Sequence, residues 1–552
     1  MQRVRTLDRR TLLAALATPL VAAWLSSRRP TAAARPDATP GLAATPVSTP
    51  DRAGVHGALD VVRDQRPTYA GPSVRGGVLR LARPKPATFD FNPLAMRPDP
   101  QFVYSIFEPL LRPDPVTMEP TPWLATDWTT SDDGLTIAVP LRRDVRWHDG
   151  APFIAADAAT TLLAYRDDSA SVVSNLFTAL ADAKAIDDGR LEVRLTEPDG
   201  NFPLNALTQP IVQRAQYEAA KAALAAAPAT PAAGGWATMP PIGTGPWKVA
   251  ELGREAVRLE RNADYWGDAA EFDRCEIAWV DGEANRVATW RNRTTDLLWP
   301  VPAADLASLG QRPGRLYAAD AASVMFAAFN FVQPDSLIPD LFTPVDLRRA
   351  LSIAIDRDRY AREVFGGFIQ QHAAGTVAQP WAHDDSITAP RHDPERAAGL
   401  LRSLGWADIN GDGVLESPAG VPFIVKVVLA ADARPELARL LARVKEDLLQ
   451  IGVVLNIDPL NAADLAQALT ATRDFDLVAY AYDLYPGFTD WDLYGSAWDI
   501  RTNPLGWNPG GYANADADAA IADFLKSRSL AAQRAALMRL QQAADRDLFG
   551  LW

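Results

Sequence analysis

A single cysteine, Cys275, stands in a chain of 552 residues, which rules out an internal disulfide framework and a cysteine-based zinc site. A lone thiol suits a small core residue, and it spares an exported chain the risk of mispairing. Histidine is nearly as scarce, with five spread thinly over the sequence. The phosphate-cradling GxxxxGK(S/T), HExxH, CxxC and GxSxG patterns are all missing. Gly243-Thr244-Gly245 lacks the third glycine of a dinucleotide loop and follows Met239-Pro240-Pro241-Ile242, which is not a clean strand. His148-Asp149 is half a triad at most, because adjacent side chains generally point apart, and no serine has a nucleophile-like context. A basic excess is absent too: the net charge of −13 and the pI near 5.0 argue against a nucleic-acid surface.

What is present fits a soluble body: 48% of residues are hydrophobic and 22% charged. The length implies several lobes or domains. Residues 1–34 read as a signal peptide: Arg3, Arg5, Arg9 and Arg10, an apolar run from Leu12 to Leu25, then Ala32-Ala33-Ala34 as a cleavage site. That apolar run is about 14 residues, short of the about 20 that span a bilayer. Asp8-Arg9-Arg10-Thr11-Leu12-Leu13 is like a twin-arginine signal; the plainer reading is a secretory signal that contains an arginine pair. No cysteine lies near the cleavage site to carry a lipid, so an uncleaved signal is the remaining tether. Residues 35–72, rich in Pro, Ala, Thr and Asp, are expected to form a disordered leader.

From Gly76 onward, strand-like and helix-like segments alternate. Leu135–Leu141, Leu191–Leu195, Val453–Ile457 and Phe475–Tyr482 read as strands, and Trp247–Leu259 as a hairpin. Ala155–Tyr165, Ala215–Ala227, Leu347–Val364 and Ala433–Ile451 read as helices. Such interleaving predicts an α/β protein with mixed sheets rather than a bundle or a sandwich.

Two stretches invite a binding role. Asp408-Ile409-Asn410-Gly411-Asp412-Gly413 imitates the start of a calcium loop, but the twelfth position is Ala419 while Glu416 falls at the ninth. The same residues suit a tight turn, which is the reading adopted, with no metal and no cofactor expected. Between Tyr480 and Tyr512 the chain gathers Tyr482, Tyr485, Phe488, Trp491, Tyr494, Trp498 and Trp507, interleaved with Asp483, Asp490, Asp492 and Asp499. Flat rings beside carboxylates are what a pocket uses to sandwich a ligand and hold a cationic end. The alternative is loop-packing aromatics with solvated acids, the better reading for any one residue but not for the cluster.

Nine strings in order carry a resemblance over nearly the whole mature chain. They are Thr88–Leu94, Ile106–Leu110, Pro122–Trp128, Leu141–Ala158, Gly243–Trp247, Arg261–Trp266, Phe329–Phe331, Val345–Arg357 and Ala398–Trp406. Their order resembles bacterial extracellular solute-binding proteins of family 5, the peptide and nickel binders of ABC importers. The resemblance implies a periplasmic-binding-protein-like two-lobed clamshell of three domains that closes over a ligand without chemistry. It implies a first-lobe core from 73–110, 236–300 and 520–552, an additional domain at 111–235, and a second lobe at 301–519. It makes His148-Asp149-Gly150 a structural turn. Asp483 becomes the nearest match to the acid that pairs with a peptide's amino terminus, with Asp490 and Asp492 as competitors, and Trp507-Asn508 approaches the ligand. The candidate ligand-binding set is Tyr482, Asp483, Tyr485, Asp490, Trp491, Trp498, Trp507, Asn508 and Asn330. The expected partners are a peptide or small-molecule ligand and the importer's membrane permease, with the protein a non-enzymatic monomer that binds no nucleic acid. The expected location is the periplasm or the outer face of the cell membrane. Alternatives are a nickel or metal-chelate binder, an exported hydrolase, and a sensory co-receptor. Family members usually run some tens of residues past the point matched by Arg546–Phe549, with a strand returning to the first lobe, whereas this sequence stops at Trp552; a truncated product is one expectation.

Overall fold

The computed structural model describes residues 59–63, 75–85, 92–95, 100–226, 236, 239–299, 301, 309, 314–318, 323–332, 338, 340–367, 369, 380–483, 487, 491–503, 506 and 508–552. The signal segment and most of the leader lie outside these residues. Part of the leader does not follow the expectation of disorder. Leu59–Arg63 is a strand that pairs in parallel with Gly314–Ala318. Leu59, Val61 and Val62 give it a β-prone composition that the surrounding Pro/Ala bias conceals.

The first lobe is built on a mixed five-stranded sheet in the order Leu297–Leu298, Val78–Arg83, Arg274–Trp279, Ala256–Arg261, Trp247–Leu252. Its first three strands run parallel, and the last two form the expected antiparallel hairpin. Cys275 lies inside this sheet at 2% exposure, and burial pushes its thiol up to about 12, so it is an inert core residue. A four-stranded antiparallel sheet follows in the order Thr129–Thr130, Thr136–Pro140, Arg190–Leu195, Leu180–Asp187. The helix Ala155–Asp167 packs on it through Ala158, Leu162 and Tyr165. Both sheets share one apolar core, which includes Leu79, Val257 and Ile277 from the first and Ile137, Val139 and Val193 from the second.

The second lobe holds a mixed sheet in the order Val454–Leu460, Ile424–Ala430, Leu477–Asp483, Ser323–Phe329, Gly550–Leu551. Alternation along the strands sends Ala327, Val427 and Leu477 to one face and Phe326, Val428 and Val478 to the other. The helices Val345–Ala354, Pro394–Ser403 and Pro435–Gln450 cover the first face. Ala515–Lys526 and Leu530–Asp547 cover the other. Residues buried on both faces explain why these strands read as apolar runs rather than clean alternations.

Two expectations are corrected here. The single helix expected over Leu347–Val364 is broken: Val345–Ala354 ends at Ile355, and Asp356 caps a new helix, Arg357–Glu363, by accepting from Arg359 N–H at 2.9 Å. An aspartate inside an amphipathic run is a cap signal that periodicity alone overlooks. The segment 520–552, expected with the first lobe, packs on the second: Leu551 pairs with Ala327, and Phe524, Leu537, Leu540 and Phe549 lie in the core with Val324 and Val478. Among the described residues no helix is long and apolar enough to cross a membrane.

Candidate ligand-binding site

The strand Leu477–Asp483 runs antiparallel to Ser323–Phe329, with Tyr482 opposite Val324 and Asp483 opposite Ser323. Tyr480 and Tyr482 face the same side as Phe326, whose ring stacks on Trp552 at 4.4 Å. Tyr480 lies 5.7 Å from Phe326, and its hydroxyl is buried without a hydrogen-bond partner in the structure. Tyr482 is half-buried. Asp483 closes the strand and Trp491 opens the short helix Trp491–Tyr494. Tyr485, Asp490 and Trp507 lie outside the described residues.

The remaining candidates are tied into the fold. The Asn330 amide donates to the Phe475 carbonyl at 2.8 Å and the Arg473 carbonyl at 3.3 Å, and its oxygen accepts from Val332 N–H and from the Arg473 guanidinium. The Asn508 amide donates to the Tyr512 carbonyl at 2.7 Å and the Gly495 carbonyl at 3.2 Å, while its oxygen accepts from Tyr512 N–H at 3.0 Å. Both side chains are about 1% exposed, so they hold their loops rather than offer groups to solvent. Trp498 is half-buried. From the wider aromatic cluster, Tyr494 packs on Phe549 at 4.6 Å, and Tyr512 donates its hydroxyl to Asp547 at 2.8 Å. For these two the core reading wins.

Sequence reasoning missed three groups near this strand. Arg473 is 5% exposed, has a left-handed backbone (φ 54°), and bonds only neutral acceptors, the Leu469 carbonyl at 2.7 Å among them. Burial pushes its guanidinium down to about 10, with Arg501 adding repulsion and Asp499 opposing it. Across the seam, Asn201 caps the start of the first-lobe helix Phe202–Asn205 and Asn205 is its last residue. The Asn205 side-chain oxygen accepts from Gly487 N–H at 3.1 Å, linking the first lobe to the segment that follows the second-lobe strand. The sequence signal was the turn Asp199-Gly200-Asn201 ahead of Phe-Pro-Leu-Asn, which composition alone marks only as a loop.

The first lobe presents a second constellation. Glu108 is 3% exposed and accepts from Trp123 Nε1 at 2.8 Å, Tyr265 Oη at 2.7 Å, Thr244 Oγ1 at 2.9 Å and Trp266 Nε1 at 2.9 Å. Burial raises its carboxyl above the usual range, and the four donors act against that rise. The rings are backed by cations, Arg112 over Trp123 at 4.5 Å and Arg142 over Trp266 at 4.3 Å. Beside it, His148 Nδ1 accepts from Gly243 N–H at 3.1 Å, which leaves Nε2 to donate to the Gly245 carbonyl at 3.0 Å. Burial lowers the His148 pKa to about 4, so the ring is neutral. Asp149 accepts from Ala151 N–H and from Gln213 rather than from His148. The pair is a turn fixture.

The Asp408–Glu416 loop is a turn as well. Asp408 accepts from Gly411 and Gly413 N–H, and the Asn410 amide donates to Glu416 at 2.8 Å and Asp412 at 3.0 Å. Among the described residues, no group of three or more His, Cys, Asp or Glu is placed to hold a metal ion.

Residues 119–500 match the family model described as bacterial extracellular solute-binding proteins, family 5 Middle. The chain belongs to this family. A Brucella ovis protein provisionally named an ABC transporter peptide-binding protein is 28% identical over 374 residues, 67% of this chain. The chain spans 66% of that relative's length. The glutathione-binding protein GsiB of Salmonella choleraesuis is 24% identical over 414 residues, 73% of this chain and 74% of the relative. Among solved structures, a periplasmic oligopeptide-binding protein of Thermotoga maritima superposes with a TM-score of 0.68 at 19% identity, covering 86% of this chain and 90% of its own. NikA of Brucella suis, solved with Fe(III)-EDTA, gives a TM-score of 0.66 at 20% identity and covers 86% and 93%. These likenesses establish the two-lobed family 5 fold. Within that fold the motif strings of the first lobe meet at Glu108 and His148.

Proposed function

We propose that the protein is the extracytoplasmic solute-binding component of an ABC importer, capturing a peptide or peptide-like solute between its lobes and passing it unchanged to a membrane permease. The observation that carries the reading is the seam where the second-lobe strand Leu477–Asp483 runs out and Gly487 meets Asn205 of the first lobe. A solute enclosed there meets main-chain groups at the end of that strand, beside the half-buried Tyr482. Strand-like pairing with an extended peptide gives affinity with little side-chain selectivity. Asp483 is the group proposed to meet the peptide's amino terminus, with Asp490 and Asp492 as its competitors. The names of the Brucella and Salmonella relatives, a peptide binder and a glutathione binder, support peptide-like cargo. The protein acts as an exported monomer without catalysis, delivered by the arginine-bearing signal segment of residues 1–34.

Native mass spectrometry of protein purified without refolding tests this. The expected result is a retained species whose mass fits a short peptide. Retention of a metal chelate, detected by elemental analysis of the same sample, would replace the peptide by a metal complex. Cleavage of peptides added to the purified protein would sink the binding reading in favour of a hydrolase.

A further inference from the structure

Phe202 and Leu204 stand two residues apart in one short helix, yet they are buried in different cores. Phe202 belongs to the first-lobe cluster, while Leu204, 1% exposed, lies among Val324, Phe326 and Leu493 of the second. This helix is therefore a tongue from one lobe into the other, and it is gripped on both sides. On one side Gly200 N–H donates to the Leu525 carbonyl at 2.6 Å, and the Gly200 carbonyl accepts from Gln533 Nε2. On the other, Asn205 accepts from Gly487 N–H. Only glycine permits the approach: a Cβ on Gly200 would overlap the Ser527 carbonyl, and one on Gly487 would overlap Asn201 Oδ1 and lie 2.5 Å from Asn205 Oδ1. The contact is not a sealed core. A cavity of about 180 Å³ opens beside the tongue, between Trp128, Pro203 and Leu204 and the start of the helix Leu530–Asp547.

We propose that Asn205 and Gly487 form a closure latch, a hydrogen bond made only while the two lobes are shut, which shifts the ligand-free protein toward its closed form. The inference rests on the two-lobed solute-binding reading above. Opening withdraws Leu204 from the second core and breaks the Asn205–Gly487 bond. Both terms oppose opening before any solute is present. A free protein biased toward closure needs less from its ligand to complete the transition, because a ligand moves the balance only by its differential affinity for the two forms. Asn205 is a positioning residue in this scheme, acting on the lobe balance.

Spin labels report that balance without a ligand. Ile186→Cys in the first lobe and Ile409→Cys in the second are exposed labelling sites, at 46% and 65%, while Cys275 is buried and unreactive. Interlabel distances are measured by pulsed electron resonance in the ligand-free double-cysteine protein, alone and with Asn205→Ala or Gly487→Ala. Each substitution is expected to lower the closed-to-open ratio by about tenfold, the equivalent of one buried hydrogen bond. Combining them should add little, since both break the same bond. Unchanged distance distributions overturn the latch, and if Gly487→Ala fails to fold, Asn205→Ala decides alone. The same proteins, as purified and before any solute is stripped, are assayed for retained solute by native mass spectrometry. Retention with unchanged distances sinks the latch and leaves the solute-binding reading standing. Opening on substitution, with no solute retained by the unsubstituted protein, keeps the latch and removes that reading.

Discussion

The Tyr265 hydroxyl donates to the Glu108 carboxylate at 2.7 Å, across 157 residues of sequence. Around this contact the separate motif strings of the first lobe become one object. Glu108 comes from Ile106–Leu110, Trp123 from Pro122–Trp128, Thr244 from Gly243–Trp247, and Tyr265 and Trp266 from Arg261–Trp266. Each carboxylate oxygen receives two donors and none of the four groups accepts, an arrangement suited to a charged, acceptor-only carboxylate.

Replacing Glu108 by alanine should therefore destabilise the first lobe by about 2–4 kcal/mol, because buried donors lose their acceptor. Glu108→Gln should be nearly as costly, since its amide turns two donors against two others. Urea denaturation followed by tryptophan fluorescence measures both. A glutamine variant with an unchanged midpoint would show that the four hydrogen bonds do not hold the lobe together.

His148 makes stability pH-dependent in a defined direction. Its folded pKa is lowered to about 4, below the ordinary value of 6.5, so the unfolded chain binds the proton more readily in that window. The contribution is fully present above 6.5 and is lost as the pH falls through 6.5 toward 4. The loss reaches about 3 kcal/mol. A nitrogen-detected spectrum should show a neutral ring protonated at Nε2 at about pH 6. An imidazolium signal at that pH would contradict the Gly243–His148–Gly245 clamp.

Asp199 works with the opposite sign. Burial raises its pKa to about 6 from 3.8, so the folded state holds the proton longer and stability from this group falls as pH rises through 6. Asp199→Asn keeps the acceptor for Asn201 N–H, now at 2.9 Å, and removes the buried charge. It should raise stability near neutral pH by about 1–2 kcal/mol, a figure reduced for partial exposure, and leave acid stability unchanged. Denaturation midpoints at about pH 4 and about pH 7 separate this from the His148 effect.

The α/β class, most helix and strand positions and the two-lobed fold were legible because periodicity and motif order report local geometry and ancestry together. Leu135–Leu141 and Ala155–Tyr165 fell where Thr136–Pro140 and Ala155–Asp167 stand. The site was less legible, for a physical reason. Aromatic density between Tyr480 and Tyr512 does not say which ring faces solvent, and Tyr494 and Tyr512 turned inward. Asn205 and Gly487 are 282 residues apart, and neither belongs to a pattern that a linear reading can rank. The C-terminal segment was misassigned for a similar reason: only the pairing of Leu551 with Ala327 reveals which sheet it joins.

Asn508 offers the sharpest separation between a structural and a ligand-binding role. Its amide and oxygen close the turn to Tyr512 with bonds of 2.7 and 3.0 Å, and a further donation reaches the Gly495 carbonyl at 3.2 Å. Tyr512 in turn donates to Asp547 at 2.8 Å, which ties the turn to the helix Leu530–Asp547. Asn508→Ala leaves the buried Tyr512 N–H and two carbonyls without this partner, a cost of about 2–3 kcal/mol. Asn508→Asp keeps the acceptor but loses both donations and buries a charge, so it should cost at least as much. If the side chain instead contacts solute, stability would hardly change while retained solute disappeared. Denaturation midpoint and retained-ligand mass on the two variants therefore give opposite patterns for the two roles, and the hydrogen bonds predict lost stability in both.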